Sequence, residues 1–332
     1  MENGAWNVFL ELLRAGLWEE DLRLPTAPDT AGWEQLMRMA RSQSVMGLFL
    51  RGLTHLPADQ LPPASIQQDL LRWRTALERT FERHGRVQAR LLEELPAAGV
   101  HPVVQKGSEA AKYYAFPAMR QVGDIDLYCP EFDRARALVP EARIASDGAA
   151  VFEREGVTVE LHPRYYDAHL PSTQRPAPGS PCGELLLLSA HAFKHAIGAG
   201  VGYKQLCDLT LALTRLDGHY DKAELQLALP RAGLLRWQRL LCSLLVEDLG
   251  LDPACCLDDF RPCDPKALRR IVRETGSFGK NQRQQEHKKS ALQRKAAIAG
   301  SFLRRLPFSL RFGARETLSN IRDLVRGNLQ LN

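Results

Sequence analysis

The chain has 332 residues, 45% of them hydrophobic and 25% charged, a composition that excludes collagen-like, disordered and coiled-coil proteins. Its longest aliphatic run, Leu185 to Leu188, is far shorter than the roughly 18 residues that cross a membrane, so no membrane span is expected. The net charge is +5, but residues 264–332 hold 16 Lys and Arg against 5 Asp and Glu, so the basic charge is concentrated at the C-terminal end.

The seven cysteines form no CxxC pair, and the N-terminus lacks the basic start, apolar run and cleavage site of a secretory signal. Unpaired thiols are typical of reducing compartments, and secreted precursors carry such a signal. We therefore expect a cytoplasmic protein with reduced cysteines.

Helical spacing dominates the first 95 residues, which we assign to an N-terminal helical region, 1–95. Apolar residues recur every three or four positions in 6–18 and again in 33–53, with prolines between the two segments. A third, long helix is predicted to open with a capping box at Ser65. Its apolar stripe is interrupted by His84 and Gln88.

The pattern changes to short strands in residues 96–175, which we assign to the core. Aliphatic residues predict strands at 100–105 and 124–128, and a hairpin formed by 151–153 and 157–162. We expect these segments to form a small mixed sheet.

Helical spacing returns from Glu184 and ends in an amphipathic basic stretch, His287 through Arg326. The preceding segment 170–183 contains four prolines, which predicts a linker or a loop over the site. The expected fold class is α+β. A small mixed β-sheet core is flanked by the N-terminal helices and by a C-terminal helical region, 176–332.

Three carboxylates fall on predicted strands of the core. Asp124 and Asp126 lie two apart in GDIDLY, so both point to the same face of the strand. Glu160 and His162 occupy the corresponding face of VTVELH. If the two strands are neighbours, the three carboxylates can hold two divalent cations, and their oxygen ligands favour Mg²⁺ or Mn²⁺. Two interpretations of His162 stay open, a substrate contact and a structural histidine.

A turn precedes these strands in VVQKGS, where Gly107 and Ser108 connect a strand to a helix start. Glycine allows a phosphate to approach the backbone, and serine can cap the helix and donate to an oxygen. The turn is therefore a candidate anion pocket. The chain contains neither a GxxxxGK[ST] loop nor a GxSxG elbow, so a P-loop and a serine hydrolase are not supported.

The run KGSEAAKYYAFPAMRQVGDIDLY, followed by VTVELHPR and by His191, His195 and Asp208, resembles the uncharacterised nucleotidyltransferase family of the DNA polymerase beta superfamily. The resemblance is strongest over residues 100–210. It implies an enzyme that moves a nucleoside monophosphate (NMP) from a nucleoside triphosphate (NTP) to a hydroxyl or phosphate of an acceptor, with release of pyrophosphate. The acceptor class stays open among peptides, proteins, sugars and small molecules.

The resemblance assigns the three carboxylates to catalysis and metal binding. Asp124 and Asp126 would ligate both ions, and Glu160 would ligate the ion nearest the attacking hydroxyl and help to remove its proton. The implied cofactor is Mg²⁺ or Mn²⁺.

Four further residues are assigned to the donor substrate by the same resemblance. Gly107 and Ser108 would bind the triphosphate, and Lys106 and Arg120 would be phosphate contacts. ATP binding is therefore among the expected properties.

His191 and His195 lie four apart on one face of a predicted helix, a spacing that zinc ligands use. Three interpretations of this pair stay open: zinc binding, contact with the nucleotide or acceptor, and a structural role. Lys204 and Asp208 are candidates to join the pair or to form a surface ion pair.

Two other functions stay open. The basic segment 264–332 is a candidate surface for nucleic acid or another anionic partner, but it lacks the interleaved aromatic residues of RNA-binding motifs, so nucleic acid is not favoured. The second alternative is a catalytically degenerate scaffold with the same fold.

Overall fold

The computed structural model describes residues 2–145, 147–166, 175–198, 200–257, 260–280 and 291–329. The helices, numbered α1 to α12 in chain order, are Glu2–Trp18, Thr30–Ser42, Met46–Thr54, Ala64–Ala97, Lys106–Ala111, Phe132–Ala137, Pro181–Ile197, Tyr203–Leu216, Lys222–Ala232, Leu235–Leu249, Lys266–Thr275 and Ala291–Leu329. The strands, numbered β1 to β5, are Val103–Gln105, Ile125–Tyr128, Arg143–Ile144, Ala150–Arg154 and Val157–His162.

The five strands form one mixed sheet in the order β1-β2-β5-β4-β3. β2 and β5 are parallel, whereas the other neighbouring pairs are antiparallel. The hairpin of β4 and β5 turns at Glu155 and Gly156, whose positive φ angles of 53° and 70° suit a tight two-residue turn. The predicted α+β class, a small mixed sheet flanked by helices, is confirmed.

Two helix boundaries differ from the sequence prediction. Segment 33–53 forms two helices because the chain turns at Ser44, which has a positive φ of 56°. α4 begins directly after Pro63, which takes an extended conformation and provides no side-chain cap. The predicted capping box at Ser65 is therefore wrong, since Ser65 already lies inside the first turn.

The hydrophobic core consists of two clusters. The larger one joins N-terminal helices to helices that follow the sheet. Trp6 and Phe9 of α1 pack on Tyr203 of α8, and their ring centroids lie 6.1 and 6.0 Å from that of Tyr203. The smaller one lies against the sheet and contains Ile125 and Val159. The division into regions 1–95, 96–175 and 176–332 stays a prediction.

The long helix α4 connects the two clusters. Its apolar stripe contributes Leu77 to the larger cluster and Val87 and Leu91 to the smaller one. His84 is buried on the same stripe between the two sets. The interruption of the apolar stripe is therefore a buried polar side chain, located where the two hydrophobic clusters meet.

Two predicted segments fall partly outside the described residues. The described end of segment 170–183 leads into α7. Ser180 caps this helix, because its Oγ accepts a hydrogen bond from the Gly183 amide at 3.1 Å. Whether segment 170–183 forms a loop over the site stays a prediction. The start of the basic stretch, at His287, also lies outside the described residues. Among the helices that are described, none combines the length and the apolar character needed to cross a membrane.

The close contact between α1 and α3 depends on glycine. A Cβ at Gly52 would lie 2.0 Å from the carbonyl oxygen of Leu12, and a Cβ at Gly16 would lie 2.1 Å from that of Leu48. Because helix backbones cannot give way as a flexible side chain can, we expect Gly52→Ala to lower the free energy of unfolding by about 2 kcal/mol or more. Urea denaturation would measure the loss.

The matched control is Gly85→Ala on α4, where an added Cβ meets no atom within 4 Å. Alanine is the better helix former, so this variant should gain about 0.5 to 1 kcal/mol. Equal stabilities for the two variants would contradict the close packing of α1 on α3.

Candidate active site

Strand register places two acidic side chains side by side. Asp126 of β2 and Glu160 of β5 are paired positions of the parallel ladder, and paired positions present their side chains to the same face of the sheet. The alternating residues Ile125, Leu127 and Val159 belong to the sheet cluster of the core. The hydrophobic pattern therefore determines which face carries the carboxylates.

The Asp126 carboxylate contacts two nitrogen-bearing side chains. Its Oδ1 lies 2.8 Å from His162 Nε2 and 3.5 Å from Lys106 Nζ. Burial alone would raise the pKa of Asp126, but the Lys106 charge and the His162 hydrogen bond outweigh it and hold that pKa well below its usual range. Asp126 is therefore an anion at neutral pH despite its burial.

Glu160 shows the opposite shift. Burial, followed by the charges of Asp126 and Asp124, raises the pKa of Glu160. His162 Nε2 lies 3.6 Å from its Oε2. Asp126, Glu160 and His162 each offer one ligand atom within 4.8 Å of the others. This donor set fits a divalent cation, which would also relieve the repulsion between the two carboxylates.

Asp124 lies immediately before β2, which begins at Ile125, so the predicted strand 124–128 is one residue too long. Its side chain is half-buried and lies outside the group of three. Its negative charge nevertheless makes an upward contribution to the pKa values of Glu160, His84 and Lys204. Metal ligation by Asp124 stays a prediction.

The Gly-Ser turn lies against the start of β2. Lys106 has a positive φ of 47° and opens the six-residue helix α5. A Cβ on Gly107 would lie 3.2 Å from the carbonyl oxygen of Asp124. Ser108 Oγ donates to the side-chain oxygen of Gln88 on α4. The turn therefore joins α4 to the carboxylates, and its binding of a triphosphate stays a prediction.

Arg120 lies in a buried ion pair. Its Nε and Nη2 donate to the two carboxylate oxygens of Asp208 at 2.9 and 2.7 Å, and Tyr114 Oη donates to the same carboxylate at 2.7 Å. Burial would lower the pKa of Arg120, but the Asp208 charge and hydrogen bonds raise it. Its Nη1 lies 4.0 Å from where a Cβ on Gly107 would stand. Because Asp208 is buried, the expectation that it forms a surface ion pair is wrong. A contact of Asp208 with the histidine pair and phosphate contact by Arg120 stay predictions.

The two histidines of α7 converge near the carboxylates. His191 Nε2 and His195 Nε2 lie 3.1 Å apart, and the rings meet edge to face. The charge of His191 is among those that lower the pKa of Asp126. The pair therefore borders the site, while the three interpretations given above stay predictions.

Two further side chains at the site were not predicted to be functional, and a third, Lys204, was predicted only as a candidate to join the histidine pair or a surface ion pair. His84 and Gln88 of α4 were visible in the sequence only as interruptions of an apolar stripe. Lys204 of α8 is half-buried, and burial, followed by the Arg120 charge, lowers its pKa to about 8. For His84 and Gln88, the sequence signal was a polar residue at a position where the helical repeat predicts an apolar one.

The basic C-terminal segment forms a groove where its side chains are described. Arg270 of α11 and Arg304 and Arg305 of α12 line a space of about 410 Å³ together with Phe308. Arg305 also donates to the carbonyl oxygen of Gly198 at 2.6 Å and so caps the end of α7. Binding of an anionic partner by this segment stays a prediction.

A mixed sheet that pairs carboxylates on parallel strands beside a Gly-Ser turn is the arrangement expected of a nucleotidyltransferase. The sequence model of the family described as "Uncharacterised nucleotidyltransferase" matches residues 29–247, about two thirds of the chain. The chain belongs to this family, and the resemblance is confirmed. No curated protein and no solved structure matches the chain.

Proposed function

We propose that the chain is a cation-dependent nucleotidyltransferase that moves an NMP from an NTP to a hydroxyl or phosphate oxygen of an acceptor. The observation that carries this proposal is the pairing of Asp126 with Glu160 across β2 and β5. The turn at Lys106, Gly107 and Ser108 lies beside this pair. The family supports the reaction class.

The proposed transfer forms a bond between the acceptor oxygen and the α-phosphorus of the NTP. The bond from that phosphorus to the bridging oxygen of the β-phosphate breaks, and pyrophosphate leaves with the electron pair. An acceptor hydroxyl also loses its proton. Glu160, which lies beside Asp126 in the parallel ladder, is the proposed acceptor of that proton.

The residues that would hold a divalent cation are Asp126 and Glu160, with Asp124 as a proposed further ligand. Such a cation, when bound, neutralises charge on the phosphates during transfer. His162 fixes the orientation of Asp126 through their 2.8 Å contact. Lys106 neutralises the same carboxylate and is the proposed phosphate contact closest to it.

The acceptor is proposed to be a peptide, a protein, a sugar or a small molecule, and the donor one of the four common NTPs. We also propose a cytoplasmic location. All seven cysteines are free thiols, which is typical of a reducing compartment.

The purified chain is expected to bind at least one NTP, and only when Mg²⁺ or Mn²⁺ is present. Equilibrium titration of the four NTPs with each cation, and again with EDTA, measures this. A nucleotide at 100 times its Kd should raise the free energy of unfolding by about 2.7 kcal/mol, which a thermal shift would detect. The proposal is contradicted if none of the four binds with either cation.

A further inference from the structure

A buried histidine of α4 lies at the edge of the candidate active site. His84 is only 5% exposed and lies on the apolar stripe between Leu77 and Val87. The neighbouring stripe positions are filled by aliphatic side chains that join the two core clusters.

Within the described part of the chain, His84 forms no hydrogen bond and no ion pair, and neither ring nitrogen is among the fully buried unpaired atoms. The ring nitrogens therefore keep a small accessible area, although the residue as a whole is buried. Buried polar side chains normally have a hydrogen-bond partner. The site charges that act on the His84 ring are those of Asp124 and Lys204. The unused hydrogen-bonding capacity of the ring therefore lies beside the candidate site.

The neighbours of His84 are residues expected to meet the donor substrate. Gln88 follows one helical turn later on α4 and accepts the hydrogen bond from Ser108 of the Gly-Ser turn. Lys204 contributes a half-buried positive charge that interacts with the charge of Asp124. A ring nitrogen, an ammonium group and a Gly-Ser turn near a carboxylate pair are complementary to a polyphosphate.

We propose that His84 is a further binding residue for the triphosphate of the donor NTP, to which its ring N–H donates a hydrogen bond. This inference rests on the proposed function. Burial, the largest effect on the ring, lowers the pKa of His84, and a neutral imidazole still carries one N–H donor. The histidine then interrupts the stripe because its partner is the substrate.

The test compares NTP affinity in the presence of Mn²⁺ for the wild type, His84→Ala and His84→Gln. Loss of one hydrogen bond to a charged phosphate should weaken binding by about 10- to 100-fold in His84→Ala. His84→Gln retains an N–H donor and should recover part of the affinity. The matched control, Leu77→Ala, removes a buried side chain two turns away on the same face. It should lower the thermal stability without changing NTP affinity.

A second measurement follows NTP binding in the wild type itself, and His84→Gln serves only to identify the ring signals. The ring signals of His84 in the wild-type NMR spectrum, identified by their loss in folded His84→Gln, should shift when an NTP is added. If the wild type binds an NTP while His84→Ala binds it equally well, or while the His84 signals stay unmoved, this inference is wrong and the proposed function stands. If the wild type binds no NTP, both are wrong.

Discussion

Asp126→Asn is expected to abolish cation-dependent NTP binding and any transfer activity. Asparagine has nearly the same shape but no charge, so the cation would lose its central anionic ligand, while Lys106 and His162 would lose the carboxylate that they contact. Removal of side chains that only support a metal ligand typically costs 10- to 100-fold in affinity. We therefore expect a loss of at least about 100-fold when the ligand itself is changed. Equilibrium titration with Mn²⁺ and the preferred NTP measures it.

The matched control for this variant is Glu153→Gln. Glu153 lies on β4 of the same sheet, pairs with Thr158 and is exposed, so the variant removes one negative charge without touching the carboxylate pair. It should bind the NTP as the wild type does. Retention of wild-type affinity by Asp126→Asn would exclude this carboxylate as a cation ligand and with it the proposed mechanism.

The pH dependence of stability offers a second readout for Asp126. Because its pKa is lower in the folded chain than in the unfolded chain, ionised Asp126 stabilises the fold above its unfolded pKa, and this contribution is lost as the pH falls through its folded pKa. Asp126→Asn should therefore flatten the acid end of the stability curve. Urea denaturation across the acid range would measure the difference from the wild type.

Local patterns were sufficient to predict the strands that carry the site. GDIDLY and VTVELH alternate acidic or polar residues with aliphatic ones, and that alternation separates a core face from an exposed face in any sheet. The pairing of Asp126 with Glu160 needs more than alternation, because it depends on which strands are neighbours and on their register. The sequence indicated that these two strands are neighbours only through the family resemblance, which rests on the order of the motifs in the chain.

Long-range contacts explain what the sequence did not predict. The buried pair of Arg120 and Asp208 joins residues 88 positions apart, and no local spacing indicates such a contact. His84 lies 40 positions before Asp124 and approaches it only because α4 spans the seam between both clusters. Site residues contributed by surrounding helices therefore emerged from tertiary packing, whereas those on strands were visible in the pattern.

Arg120→Ala is expected to have the largest effect on stability. Arg120 and Asp208 are 5% and 3% exposed, so the variant leaves a buried carboxylate whose remaining hydrogen bond comes from Tyr114. Breaking a buried ion pair by removing one partner typically costs about 3 to 5 kcal/mol. Urea denaturation should show a loss of this size, and Asp208→Ala should show a similar one, since it leaves a buried guanidinium.

The double variant Arg120→Met/Asp208→Leu separates the structural role of Arg120 from a role in phosphate binding. Replacing both partners with apolar side chains removes both buried charges, so the double variant should be much more stable than either single variant. If it then binds the NTP as tightly as the wild type, Arg120 acts only through its ion pair with Asp208 of α8. If it is stable but binds about 10-fold more weakly or worse, the guanidinium contacts a phosphate as well. A double variant no more stable than Arg120→Ala would contradict the electrostatic argument, because the loss would then come from packing alone.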